Sequence, residues 1–271
     1  MIDLHSHTTA SDGEHPPEEL IRRAFEAGVR TLSLTDHDTV AGIAAAQLAA
    51  KARGMTLIPG IELSAFVNGR EVHILGHFVD PLDARLNGLA DFLRVEREKR
   101  MVEMLAKLAA LGMTIPMAEV VAMSGGKNLG RPHLARAMVA RGLCVDVKDA
   151  FDRFLGNGQP AFVERYELSS KDAIALIHGA KGTATIAHPH VNKLGRDDIA
   201  LLKSEGLNGI EVYHSDHSLE VRERMLAIAK ELDLVPTAGS DFHGEAVVKD
   251  RKLGTASMNP DDFAKLKARA T

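Results

Sequence analysis

The chain has 271 residues, of which 45% are hydrophobic and 26% charged, a composition that excludes a disordered chain and suits one large α/β domain or such a domain with an insertion. Its formal charge of -4 offers no general basic field for nucleic acid, so any phosphate recognition has to be local. The single cysteine, Cys144, cannot close an internal disulfide, and no apolar run approaches the ~20 residues that span a bilayer. At the N-terminus, acid and histidine stand where a secretory signal needs a basic run and an apolar core, so the expected compartment is the cytoplasm, with no membrane role.

The first stretch, Asp3-Leu4-His5-Ser6-His7, puts Asp3, His5 and His7 on one face if residues 2 to 7 are extended, and Leu4 on the other. Two imidazoles and a carboxylate aimed at one point make half of a metal site, although an isolated pair of this kind also occurs by chance on exposed strands. Pro16-Pro17-Glu18-Glu19 then opens a helix that runs on through Leu20, Ile21, Ala24 and Phe25 to Gly28. A strand over 30–35 leads into Asp36-His37-Asp38, and a helix over about 40–53 stops at Gly54. An apolar strand over 55–61 ends at Glu62, and residues 70–78 alternate around His73.

From Asp83 a long amphipathic helix to about Leu111 replaces this alternation, and helical segments with glycine-rich breaks continue to about Leu155. The expected organisation is a barrel of residues 1–82 and 166–271 interrupted by a helical substrate-binding subdomain over 83–165. Alternation resumes with a helix over 169–180, a strand over 183–187 ending at His188-Pro189-His190, and a helix near 197–205. Gly209 to Tyr213 then ends at His214, a helix covers about 219–232, and 234–238 ends at Gly239-Ser240-Asp241-Phe242-His243. About seven strands with chemically rich exits predict a (β/α) barrel with its site at that rim; a doubly wound open sheet is the alternative.

One histidine on an apolar strand is more often a packing residue than a ligand, but this many strand-end imidazoles and carboxylates together point to metal. Imidazoles mixed with Glu and Asp, without a thiolate cluster, favour Mn²⁺, Zn²⁺ or Fe²⁺ over calcium or a sulfur-bound zinc. Two or three ions sharing a bridging carboxylate is the natural arrangement, and Glu62 can bridge because its two oxygens can serve cations about 3.5 Å apart.

The motifs Asp3-Leu4-His5-Ser6-His7, Thr35-Asp36-His37-Asp38, Gly60-Ile61-Glu62, His188-Pro189 and Ser240-Asp241-Phe242-His243 resemble, in order along nearly the whole chain, the PHP (polymerase and histidinol phosphatase) superfamily. Together with Gly130-Arg131-Pro132-His133 and Glu71-Val72-His73-Ile74-Leu75-Gly76, the extended first motif is similar to the bacterial branch holding 3',5'-nucleoside bisphosphate phosphatases and 5'-to-3' exoribonucleases. The resemblance implies a distorted (β/α)7 barrel. It also implies one metal on His5, His7, Glu62 and Asp241, a second on Glu62, His73 and His188, and a third on Asp12, His37 and His243, with manganese the expected ion. Asp3, Asp36 and Asp38 are then expected to orient the histidines, His77 to pack, and His214 to be either packing or ligand.

Within Ser124-Gly125-Gly126-Lys127-Asn128-Leu129-Gly130-Arg131-Pro132-His133, glycines, two cations and a proline-opened helix suit a phosphate, although a solvated turn is the plainer reading of the spacing alone. With the resemblance, Lys127, Arg131 and His133 become the expected grip on a 5'-phosphate. His190 can touch the scissile phosphate or protonate the leaving oxygen, or simply cap a loop; with Asp241 it completes the expected catalytic set. Arg22 and Arg23 read as a solvated face. The activity expected is hydrolysis of the 3'-phosphate of nucleoside 3',5'-bisphosphates such as pAp by metal-activated hydroxide. Trimming of short 5'-phosphorylated RNA, hydrolysis of histidinol phosphate and an idle metal-binding regulatory domain are the rivals. No obligate protein partner is implied.

Overall fold

The computed structural model describes residues 1–124 and 129–270. The chain forms two compact units, Met1–Leu89 with Glu167–Thr271, and Ala90–Tyr166. Its strands are β1 (Ile2–Asp3), β2 (Thr31–Leu34), β3 (Thr56–Val67), β4 (Arg70–His77), β5 (Thr183–Ile186), β6 (Gly209–His214) and β7 (Val235–Gly239). The helices, in chain order, are α1 (Pro17–Glu26), α2 (Ile43–Ala52), α3 (Ala84–Ala110), α4 (Met117–Ser124), α5 (Arg131–Ala140), α6 (Val147–Ala150), α7 (Ser170–Gly179), α8 (Arg196–Ser204), α9 (Leu219–Glu231) and α10 (Pro260–Ala268). None of the described helices is long and apolar enough to cross a membrane.

In the first unit the strands pair in sequence order into one seven-stranded sheet. The outer edges meet where the Leu4 N–H donates to the Ala238 carbonyl at 3.0 Å and the His7 N–H to the Phe242 carbonyl at 2.9 Å. The sheet is therefore a nearly closed barrel, which leaves few backbone groups unpaired at its edges. Helix α1 shows how the surrounding layer is specified. Pro17 and the acids Glu18 and Glu19 suit its first turn. Leu20 and Ile21 are fully buried, each contributing roughly 1.5–3 kcal/mol, while Arg22 and Arg23 pair with Glu19 on the solvent side.

The barrel departs from strict strand-and-helix alternation at one place, and the departure shapes the site. Strand β3 does not end at Glu62 but runs on to Val67, because β4 folds back on it as an antiparallel hairpin in which Val67 faces Arg70 and Ser64 faces His73. Asn68 (φ 50°) and Gly69 (φ 71°) form the two-residue turn, the pair of positive φ angles that an Asn-Gly hairpin supplies. Strand β4 is antiparallel to β5 as well. His73 therefore lies in the first half of its strand, not at a carboxyl end, and reaches the same rim because that strand runs in the opposite direction.

Two further elements differ from the sequence reading. Only Ile2–Asp3 pairs as a strand at the N-terminus, with an isolated bridge from Ser6 to Phe242 taking over beyond it. Helix α10 was not expected, although Asn259 caps it, Pro260 opens it and Asp261 and Asp262 occupy its first turn. Leu266 of α10 packs into an apolar cluster with Leu4, Ile58, Val235 and Met258.

The second unit has its own core, in which Met101, Met104, Leu108, Leu134, Met138 and Leu155 are buried together. Cys144 is buried in that core, and burial pushes its thiol pKa up, the setting of an inert packing cysteine.

Candidate metal centre

The barrel rim gathers its titratable side chains around one carboxylate. Glu62 is 1% exposed, and its two oxygens face different groups. One oxygen, Oε2, lies 3.2 Å from His5 Nε2, 3.1 Å from His7 Nε2 and 3.3 Å from His37 Nδ1. The other, Oε1, lies 3.0 Å from His73 Nδ1 and 3.3 Å from His188 Nε2. Asp241 Oδ1 is 3.2 Å from both His5 Nε2 and His7 Nε2. Asp12 meets His7 Nδ1 at 3.6 Å, His37 Nε2 at 3.7 Å and His243 Nε2 at 3.4 Å.

Among the described residues four groups of donor atoms are close enough to share an ion: His5, His7, Glu62 and Asp241; His37, Glu62 and His73; His7, Asp12, His37 and His243; and, with two exposed carboxylates, Glu14, His15 and Glu245. His7 and His37 each join two groups, a sharing the motif-based sets did not contain, whereas His188 joins none of them and meets the cluster through Glu62 and the rings of His5 and His73. The buried nitrogens His7 Nε2, His37 Nδ1 and His73 Nδ1 have no hydrogen-bond partner among the described residues, although each lies within 3.0–3.3 Å of a Glu62 oxygen. The nitrogens approach at the right distance but in the wrong direction to donate a proton. Neighbouring ligands about 2.1 Å from a common cation sit roughly 3 Å apart, and buried polar atoms without partners are otherwise costly. The residues present fit divalent cations.

Electrostatics agree with that reading. Burial raises the cost of ionising Glu62, but the imidazoles of His37, His5 and His73 outweigh it and hold the carboxyl well below its usual range. Burial opposes charge on His73 too, yet Glu62 and Glu71 lift its pKa to about 10. His37 goes the other way, to about 4, because burial there exceeds the pull of Glu62. The cluster therefore pairs ionised buried carboxylates with imidazoles whose protons a metal would displace.

Outer contacts aim the rings. His5 Nδ1 bonds Glu211 Oε1 at 3.0 Å, and His243 Nδ1 donates to the Asp241 carbonyl at 3.0 Å, so in each ring Nε2 is turned to the cluster. Sequence reasoning passed over Glu211, which is fully buried and also accepts the His188 N–H at 2.8 Å. A carboxylate between Ile210 and Val212 on an apolar strand was the available signal, since such a charge needs a buried partner. Gly239 makes the approach possible: a Cβ there would fall 2.2 Å from the His5 Cβ and 2.6 Å from Glu211 Oε1. His214 Nε2 meets Asp241 Oδ2 at 3.3 Å, and Arg251 pairs with the same oxygen.

Asp3, Asp36 and Asp38 tie the segments that carry the rings to other parts of the barrel rim. Asp3 accepts from the Ser240 and Gly254 N–H groups at 2.9 and 3.1 Å, Asp36 from the Thr8 N–H, the Thr8 hydroxyl and the Ser11 hydroxyl at 2.7 Å each, and Asp38 from the Ser64 N–H at 3.0 Å. Asp241 (φ 52°) and His188 (φ 26°) adopt positive φ, strain of about 1–3 kcal/mol each that the surrounding bonds must hold.

The remaining expected residues make other contacts. His190 is exposed and its Nδ1 accepts from Arg224 at 3.0 Å. In the second unit, Arg131 donates to the Leu155 carbonyl and Asn157 Oδ1 at 3.3 and 3.1 Å with its guanidinium 5.6 Å from the Phe151 and Phe162 rings. His133 Nδ1 accepts the Gly130 N–H at 3.0 Å at the start of α5. Lys127 lies outside the described residues. His77 is fully buried, its Nδ1 3.4 Å from the Ser33 hydroxyl, and burial together with His5 pushes its pKa down to about 3.

His77 carries a stability prediction. Between pH 6.5 and about 3 the unfolded chain holds a proton that folded His77 refuses, so this contribution is complete above pH 6.5 and falls away as the pH drops towards 3. Urea unfolding from pH 7 to pH 4 should show a slope reduced in His77→Gln by up to ~1.4 kcal/mol per pH unit; equal slopes would clear His77 of the effect.

A barrel whose rim sets carboxylates and imidazoles at cation-sharing distances defines a metal-dependent hydrolase. The chain belongs to the PHP domain family, whose profile matches residues 3–230. It is 40% identical over 245 residues to a 5'-3' exoribonuclease of Haemophilus influenzae, covering 89% of each chain. It is 35% identical over 247 residues to a 3',5'-nucleoside bisphosphate phosphatase of Chromobacterium violaceum, covering 89% of this chain and 87% of that one. Among solved structures, one described as a metal-dependent phosphoesterase from Bifidobacterium adolescentis superposes with a TM-score of 0.81 at 31% identity, over 99% of this chain and 96% of that one. Family, fold and site together make the chain a metal-dependent phosphoesterase.

Proposed function

We propose that the chain cleaves the bond between phosphorus and the 3'-oxygen of a 5'-phosphorylated ribonucleoside, with nucleoside 3',5'-bisphosphates such as pAp as substrate and a 5'-nucleotide plus phosphate as products. The observation that carries the reading is the two-sided crowding of Glu62 by partnerless imidazole nitrogens. The Chromobacterium violaceum relative supports this substrate. A second reading, removal of 5'-nucleotides from short RNA, is favoured by the more similar Haemophilus influenzae relative. The two differ less than their names suggest, because both break the same ester bond and expel the same 3'-oxygen.

His5, His7, Glu62 and Asp241 would hold one divalent cation, His73, Glu62 and His188 a second, and Asp12, His37 and His243 a third. Manganese suits this oxygen and imidazole mixture. Bound cations supply charge to the phosphoryl oxygens and lower the pKa of water. The chain's own part is placement: Glu211 fixes His5 and the His188 backbone, and His214 and Arg251 fix Asp241. Arginine is always a donor, so His190 Nδ1 is the acceptor of its bond with Arg224. Neutral His190 then carries its proton on Nε2, the tautomer able to donate to a departing 3'-oxygen. Arg131, with His133 and Lys127, is assigned the 5'-phosphate.

The test is phosphate release from pAp with manganese, compared with 3'-AMP. Wild-type protein should convert pAp to 5'-AMP and phosphate, lose turnover after exhaustive chelation, and prefer pAp to 3'-AMP by at least ~10-fold, the worth of a charge-assisted phosphate contact. Arg131→Ala should erase that preference. Equal losses on both substrates would remove Arg131 from this role, and full turnover after chelation would end the metal reading.

A further inference from the structure

We propose that the groove between the segment 190–196 that leads into α8 and helix α9 binds the nucleoside on the far side of the scissile phosphate, so that the enzyme reads a second nucleotide of a 5'-phosphorylated ribo-oligonucleotide. The inference rests on the phosphoester reading above and extends it from a mononucleotide to a short chain. The groove encloses about 490 Å³, within the size range of small-ligand sites. Its floor is apolar, formed by Leu194, Met225 and Ile228, and Lys193, Arg224 and His190 stand along it.

Charge selects the occupant. Arg196 is neutralised by Glu231 and Asp197 at 2.5 and 3.1 Å and forms a wall. Lys193 and Arg224 make no ion pair with any described residue, and Arg224 donates to His190 Nδ1 at 3.0 Å. Two unmatched cations above an apolar floor suit a nucleotide, whose phosphate takes the charge while its base lies on aliphatic and thioether side chains.

Position selects the strand polarity. His190 lies two residues beyond His188, and its ring is 6.1 Å from that of His217, which is 5.2 Å from that of His214. His214 in turn contacts Asp241. The groove therefore begins at His190, two residues from His188 and at the outer end of a row of rings that ends at Asp241. A bisphosphate such as pAp has nothing to put there, whereas RNA carries its next nucleoside on that phosphate. In the cut, a water oxygen bonds to phosphorus, the bond from phosphorus to the 3'-oxygen breaks, and that oxygen takes a proton. The downstream fragment leaves with a 5'-phosphate. It is then a substrate one nucleotide shorter, which gives the reaction its 5'-to-3' direction.

The test compares kcat/KM for 5'-phosphorylated triadenylate, whose second nucleoside carries a further phosphate for Lys193 and Arg224, with that for pAp in wild-type, Lys193→Glu and Ala227→Glu proteins, all loaded with manganese. Ala227 is an exposed helix position that lines the groove, so the second variant fills and recharges it with little demand on folding. The triadenylate-to-pAp ratio should fall about tenfold in both variants, and the salt dependence of triadenylate KM should weaken by about one counterion in each. Ratios equal to wild type in both would overturn the proposal. If wild-type protein hydrolyses neither substrate, the phosphoester reading fails, and titration of a fluorescein-labelled 5'-phosphorylated triadenylate judges the groove separately: weaker binding in both variants sustains it, and equal binding overturns it.

Discussion

Glu62→Gln is expected to lower turnover on any phosphoester substrate by about 10³-fold or more, a loss of at least ~4 kcal/mol of transition-state stabilisation. Glutamine keeps the volume and one carbonyl oxygen but replaces the other oxygen with an NH₂ group. Five imidazoles from four separate segments converge on the two oxygens of Glu62, so whichever way the amide turns, one side of the cluster meets a donor where it needs an acceptor. A bridging position cannot be served by one oxygen. Elemental analysis should show fewer bound ions per chain than in wild type, and added manganese should not restore the rate. Wild-type turnover in this variant, with its circular dichroism unchanged, would mean that Glu62 bridges nothing that matters to the reaction.

The second large effect is expected at Glu211, which touches no substrate and acts through His5. Its carboxylate receives the His5 Nδ1 proton and the His188 N–H, so it sets the direction of one ring and the backbone that carries another. Partners of this kind change metal affinity by roughly 10–100-fold when removed. Glu211→Gln should accordingly shift the manganese concentration needed for half-maximal activity upward by that factor, while kcat at saturating metal recovers to within several fold of wild type. Recovery separates a positioning residue from a bridging one, because the Glu62 variant should not show it. A Glu211 variant with a normal metal requirement and a low kcat would place the residue in the chemistry itself.

The residues these variants probe were unequally legible beforehand. His5, His7, Glu62 and Asp241 stood out because each leaves an apolar strand as a polar side chain, and the structure brings those four together. Glu211 did not stand out, because a lone glutamate inside Gly209–His214 reads as one more alternating strand residue until its partner is known. That partner, His5, is 206 positions away. Asp3, Asp36 and Asp38 were legible as important, although composition says that a carboxylate will be bonded without saying whether a ring or a loop N–H will be nearest. Helix α10 was missed although its cap, proline and acids were all present.

By itself the amino-acid order determined the strand count, most helices of the barrel and the family, because all of these follow from local periodicity, turn chemistry and motifs read in a line. Tertiary structure alone decided which atoms face one another. The direction of β4 depends on a hairpin that competes with a crossover helix, and it carries His73 to the rim. The sharing of His7 and His37 between two groups of donors, the fixing of His5 by Glu211 and the unmatched cations over the groove beside α9 all depend on distances set by barrel closure. Closure is a sum of contacts between residues far apart in the chain, and no local pattern records it.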